Sequence, residues 1–183
     1  MAEDDVIVDS SMGFAQAVAG TAAPQAVLDD LCLIDVRYCG FDGCLHQGQF
    51  VIHRELAVEL QGLFRLIEQR RFPVAGAVPI VRYAWSDGAS MAADNSSAFN
   101  YRPIAGTDRL SRHARGRAVD INPRENPAIY PDNRIAPAGA VWRPGEPGTF
   151  TKDHAIVQAF REKGWRWGGE FAHLRDHHHF EKG

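Results

Sequence analysis

The sequence predicts an α+β fold, an antiparallel sheet flanked by helices. Two observations carry that reading. Segments with the two-residue alternation of strands and segments with the helical period of 3.6 both occur, but not in the β-α-β order that a parallel sheet needs. Ten prolines and seventeen glycines, spread along 183 residues, imply many turns and argue against a helical bundle.

The elements follow in order. Residues 24–30 suit a short helix with Pro24 in its first turn. Residues 31–38 and 49–53 alternate as strands, and residues 40–48 between them carry the turn residues of a hairpin. Residues 54–71 make the clearest helix, because Leu56, Leu60, Leu63, Phe64 and Ile67 form one apolar stripe. Residues 78–83 read as a buried strand and 86–97 as a polar loop. Residues 116–121 read as a further strand, with Ala118 and Asp120 on one face and Val119 and Ile121 on the other. Residues 125–148 hold five prolines and little periodicity, which predicts a long surface excursion. Residues 153–163 form a second amphipathic helix stopped by Gly164, and residues 165–167 and 177–181 are two last short strands.

This length suits a single domain, taken as residues 24–183 behind an acidic arm over residues 1–23 that is extended or partly ordered. Hydrophobic content of 45% and charged content of 23% are those of a soluble globular protein. A net charge of −3 gives no electrostatic case for nucleic acid or an anionic membrane. The first ten residues are acidic where a secretory leader would be basic, and the run 72–81 is too short and proline-interrupted to insert in a bilayer. Localisation stays open between the cytoplasm and release by another route, and a monomer is expected. Cys32, Cys39 and Cys44 match no common zinc or redox spacing. They read as buried or half-buried free thiols, with a Cys39–Cys44 disulfide as the alternative in an exported protein.

The chemistry concentrates in two places. The first is S-R-H-A-R-G-R-A-V-D, residues 111–120. Gly116 lets the chain turn from a loop carrying His113 into the strand carrying Asp120. A carboxylate between two core aliphatics is costly to bury alone, and a divalent cation is one partner that removes the cost. The second is D-H-H-H-F-E, residues 176–181. A catalytic zinc takes three protein ligands and leaves a fourth position for water. His113, Asp120 and any one of His177, His178 and His179 would complete that set, and Asp176 or Glu181 could serve as the general base. Each residue also has a plainer reading. A lone histidine is more often an ordinary surface or core residue, and consecutive histidines near a chain end are what a purification tag leaves. The flanking Trp-Gly-Gly-Glu-Phe and Phe-Glu-Lys-Gly are not tag-like.

These blocks, with the intervening G-W-R-W-G-G-E-F of residues 164–171, resemble the D-Ala-D-Ala metallopeptidase family of vancomycin-resistance dipeptidases, carboxypeptidases and L-Ala-D-Glu endopeptidases. The family pattern S-x-H-x-x-G-x-A-x-D is met by Ser111, His113, Gly116, Ala118 and Asp120. Gly164, Trp165, Trp167, Gly168, Gly169 and Phe171 meet the second block, and Asp176, His179 and Phe180 the third. The resemblance covers roughly residues 75–183. It implies a hedgehog/DD-peptidase-like fold and a Zn2+ ion on His113, Asp120 and His179, with Asp176 as the general base. The implied activity is hydrolysis of an amide bond in peptidoglycan stem peptides by a metal-activated water, of D,D-carboxypeptidase or L-Ala-D-Glu endopeptidase type. An oxyanion-stabilising arginine is also implied, with Arg102 the candidate and Arg82 the runner-up; the plain reading of Arg102 is a surface salt bridge. Ser111 caps the His113 loop or touches substrate, and Trp165, Trp167 and Phe171 form core and cleft wall. The alternative in another class is a non-catalytic zinc-containing cell-wall-binding module of the same fold.

Overall fold

The computed structural model describes residues 6–183. Its elements run β1 (Ile7–Val8), α1 (Phe14–Ala17), α2 (Gln25–Leu28), β2 (Leu31–Cys39), β3 (Leu45–His53), α3 (Ala57–Gln69), α4 (Asp87–Ala92), β4 (Ala118–Asp120), β5 (Ala128–Ile129), β6 (Ile135–Ala136), α5 (Ala155–Glu162), β7 (Arg166–Trp167), β8 (Arg175–Asp176) and β9 (His179–Glu181). Helices and small, mainly antiparallel sheets are mixed along the chain, which is the α+β arrangement expected.

Among the described residues three three-stranded sheets form, in the orders β1-β3-β2, β4-β9-β7 and β6-β5-β8. The long hairpin β2–β3 is antiparallel from Leu31 opposite His53 to Cys39 opposite Leu45. Its inward residues Ile34, Val36, Tyr38, Phe50 and Ile52 meet the apolar stripe of α3, Leu60, Leu63, Phe64 and Ile67. On the other side of the same core lie Val119 and Ile121 around β4, Phe180 of β9, and Ile156, Val157 and Phe160 of α5. Phe180 stacks on Phe160 at 4.2 Å between ring centroids and meets Phe150 edge-on. Burying each such side chain contributes about 1.5–3 kcal/mol. The strands that carry polar residues are therefore anchored from their apolar face, leaving the opposite face for chemistry.

Several local expectations are corrected. The buried strand expected over residues 78–83 does not form. Pro79 lacks a donor, Val78 N bonds the side chain of Asn95 at 2.9 Å, and Ile80–Tyr83 closes as a 3-10 turn. The polar loop expected over residues 86–97 contains α4, because Ser86 Oγ caps it by accepting from Ala89 N. The excursion at 125–148 contains the hairpin β5–β6, and β5 also pairs with β8. Strand β3 starts at Leu45, inside the stretch expected to turn. The Cys39–Cys44 disulfide is absent: Cys32, Cys39 and Cys44 are all free, and Cys44 is exposed rather than buried.

The beginning of the segment expected as an acidic arm, residues 1–5, lies outside the described residues. From residue 6 the segment is packed. β1 runs parallel to β3, Ser10 Oγ donates to Gln49 Oε1 at 2.6 Å, and Ala17 and Val18 join a second apolar cluster with Leu31, Val51 and Phe99. No helix among the described residues is long and apolar enough to cross a membrane.

Candidate metal centre

Two glycines make the centre possible by what they lack. Gly116 sits at φ +61°, and a Cβ there would lie 2.7 Å from His53 N and 2.6 Å from Leu31 Cδ2. Its carbonyl accepts from His53 N at 2.9 Å, so the turn is pinned directly against the end of β3. Gly168 opens the 3-10 turn Gly168–Glu170, and a Cβ on it would lie 2.5 Å from Asp176 O, 2.9 Å from Asp176 Cβ and 3.1 Å from His179 Cβ. It clears the space in which β8 and β9 approach.

His113 rides on the 3-10 turn Arg112–Arg115, whose start is capped by Ser111 Oγ accepting from His113 N at 3.3 Å. That is the capping role foreseen for Ser111. Asp120 ends β4 and lies directly opposite His179 of β9 in the strand register. The three side chains converge. His113 Nε2 is 3.1 Å from Asp120 Oδ2 and 3.1 Å from His179 Nδ1, and His179 Nδ1 is 2.9 Å from Asp120 Oδ1. All three residues are buried. The group could hold a metal ion.

The outer ring nitrogens are held in place. His113 Nδ1 faces the carbonyl of Ala98, and His179 Nε2 lies 3.3 Å from Glu181 Oε2. With a proton on each outer nitrogen, both inner nitrogens present lone pairs toward the Asp120 carboxylate, the tautomer a metal ligand needs. Without a metal, protons carry the compensating charge. Burial works against a charged His179, yet the hydrogen bonds it donates to Asp120 and Glu181 lift it to about 10. Burial likewise pushes the Asp120 carboxyl up, but the charges of His113 and His178 outweigh it and hold it well below the usual carboxylate range.

Asp176 stands beside this group on β8, near enough to interact with the charges of His179 and Asp120. Its Oδ1 is 2.8 Å from His178 Nε2, and His178 Nδ1 is 2.8 Å from the carbonyl of Asn126. A donor at Nδ1 leaves Nε2 and the carboxylate sharing one further proton. Burial opposes charge on His178, but Asp176 and Asp120 raise it to about 9. Glu181, the other candidate base, is turned to His179 and to Arg166, 3.2 Å away. His177 is buried against Trp142 with its Nδ1 toward Pro127 O, and His173 is exposed; neither joins the centre.

The centre opens on a cleft of about 540 Å³, whose walls include His113, Asp120, Asp176, His179 and Phe171. Arg102 lines it too, with Nη2 2.8 Å from Asp87 Oδ2. Its Nε is buried without a hydrogen-bond partner. Arg82, the runner-up, is exposed on the Ile80–Tyr83 turn and does not line the cleft. Trp165 and Trp167 are core residues, as expected.

Sequence reasoning names Glu181 as a candidate base and His178 as a candidate ligand but misses what they do here, which is to hold His179 and Asp176. Glu181 carried a usable signal, since it lies two residues from His179 and so on the same strand face. Asp87, His178 and the carbonyls of Ala98 and Asn126 carried none, because their roles depend on segments far apart in the chain.

Residues 105–182 match a family model described as D-alanyl-D-alanine carboxypeptidase. Over that stretch, a little under half of the chain, the protein is similar to the D-Ala-D-Ala peptidases that the model describes. The likeness supports a peptidase, of a family that is generally metal-dependent. The matched stretch contains His113, Asp120, Asp176 and His179 and ends at Lys182, while Arg102 lies just before it. No curated protein and no solved structure gives a significant match to this chain.

Proposed function

We propose that this chain is a zinc-dependent peptidase that hydrolyses an amide bond in peptidoglycan stem peptides, as a D,D-carboxypeptidase or an L-Ala-D-Glu endopeptidase. The observation that carries the reading is the convergence of His113 Nε2, Asp120 and His179 Nδ1, lone pairs inward and outer nitrogens held, with Asp176 alongside. Two imidazoles and one carboxylate suit zinc. Donors around a tetrahedral zinc stand about 3.3 Å apart, by the usual bond lengths of roughly 2.0–2.1 Å. The 2.9–3.1 Å separations here fit that spacing after small adjustment.

Bound zinc would polarise the scissile carbonyl and make a water acidic enough to react near neutral pH. The chain supplies the rest. Asp176 accepts the proton of the attacking water and returns it to the leaving amine. With Oδ1 turned to His178, Oδ2 is the oxygen left for that transfer. Arg102, fixed by Asp87, offers a guanidinium to the charge that develops on the carbonyl oxygen. A wall-binding module without activity would do better with a fourth protein ligand, and His177 faces away.

The test combines metal analysis with mass spectrometry of products from defined muropeptides. The proposal expects one zinc per chain and a single cleaved bond, lost in Asp176→Ala. Purified protein without stoichiometric zinc, or full cleavage by Asp176→Ala, would overturn it.

A further inference from the structure

The cleft is not balanced in charge. Four acids line it, and each has a cationic partner: Asp87 with Arg102, Asp120 with His113 and His179, Asp176 with His178, and Glu181 with Arg166. Arg109, Arg112 and Arg115 line the same cleft, are exposed, and form no ion pair among the described residues. The surplus is local. Residues 101–117 contain five arginines and one acid, Asp108, in a chain whose net charge is −3.

Backbone geometry aims this surplus at the metal centre. Arg112 and Arg115 are the first and last residues of the 3-10 turn that carries His113. Side chains three apart on such a turn eclipse one another, so the two flank the ligand on one side. Arg109 belongs to a small hairpin in which Ile104 N donates to Arg109 O at 2.8 Å and Pro103 bridges Leu110. That hairpin also brings the exposed apolar side chains of Ile104 and Leu110 to the cleft.

We propose that Arg109, Arg112 and Arg115 form an anion-binding subsite on the rim of the cleft, which takes a free carboxylate of the peptide substrate. The inference rests on the peptidase reading above. Guanidinium forks match a carboxylate in two hydrogen bonds, and Ile104 and Leu110 suit a small apolar side chain beside it. Each exposed pair is worth roughly a two- to five-fold gain in binding, so three together reach about ten-fold or more. The carboxylate has two sources in a stem peptide: its C-terminus, or an interior acidic residue.

The test uses one peptide sequence in three forms: free acid, C-terminal amide, and interior-carboxylate amide. Relative kcat/KM is measured with the zinc-loaded full chain, and binding to the metal-free chain by calorimetry. One of the two amidations is expected to lower both by ten-fold or more, and which one identifies the carboxylate. In Arg109→Gln/Arg112→Gln/Arg115→Gln the discrimination falls below about two-fold, while Arg109→Lys/Arg112→Lys/Arg115→Lys keeps most of it; thermal unfolding checks that both variants are folded. Equal treatment of all three peptides by the wild-type chain, or unchanged discrimination in the glutamine variant, overturns the subsite. If nothing is hydrolysed but the metal-free chain still discriminates, the peptidase reading fails and the subsite stands.

Discussion

Asp120 and His179 face each other across the β4–β9 pair, and their side chains meet at 2.9 Å on the side away from the core. The register that sets this contact is fixed by their neighbours. Val119 lies opposite Phe180, and both are fully buried in the main apolar cluster. A slip of one residue would send Phe180 into the cleft and His179 into the core. Hydrophobic burial therefore locates two of the proposed ligands before any metal binds. The third, His113, is placed by the chain that enters β4, through the Gly116 turn and the carbonyl of Ala98.

Metal affinity should follow this hierarchy. Asp120→Asn keeps the volume but removes the charge between two imidazoles, and it is expected to weaken zinc binding by roughly a hundred-fold or more. Glu181→Gln leaves the three donors intact and loses only the grip on His179 Nε2, so a loss of about 10–100-fold is expected. Competition with a chromophoric chelator measures both. Equal losses in the two variants would contradict the separate roles assigned to Asp120 and Glu181.

Gly116→Ala tests the turn. The left-handed backbone costs an alanine about 1–2 kcal/mol, and its Cβ would press on His53 N and Leu31. A total loss of about 3 kcal/mol lowers Tm by roughly 10 °C in a chain of this size. Thermal unfolding followed by circular dichroism reads the shift, and a drop of under 2 °C would show that the turn has slack.

How far the sequence reaches depends on which force decides each element. The hairpin of residues 31–53, the helix after it and α5 are legible because burial of one face imposes its period on the residues. His113, Asp120, Asp176 and His179 are legible as a set only through the family blocks, since spacing leaves three histidines equal. The structure separates them by facing: His177 turns to Pro127, His178 to Asn126, and His179 to Asp120. The 78–83 segment misled because its apolar run resembles a strand, whereas Pro79 and the Asn95 side chain decide its backbone. The Arg102–Asp87 pair joins two segments with no local pattern to announce it.

The contribution of Glu125 to stability should fall as pH rises through neutrality. Burial, then the hydrogen bond and charge of Asp94, push its carboxyl up to about 8 from the ordinary 4.5. A carboxyl raised in the folded state binds more protons folded than unfolded between those values. Its contribution is thus fully present below about pH 4.5 and is lost as pH rises through about 8. Glu125→Gln removes the titrating group, so the Tm measured at about pH 8 should move closer to that measured at about pH 5 than in the wild-type chain, or further above it. A variant with the wild-type pH profile would assign the slope to other groups.

Asp176 and His178 should act as a unit. Asp176→Asn keeps the shape of the site and removes the proton acceptor, so cleavage is expected to fall by roughly 10²–10⁴-fold with zinc retained. His178→Gln leaves the acceptor but frees it from the Asn126–His178 contact that fixes its direction. A misdirected base costs less than a missing one, and a fall of about ten-fold or more in kcat with little change in KM is expected. In the Asp176→Asn background the His178 substitution then has nothing left to misdirect. The double variant should be no slower than Asp176→Asn alone. If the two losses multiply instead, His178 supports the site by packing and not through Asp176.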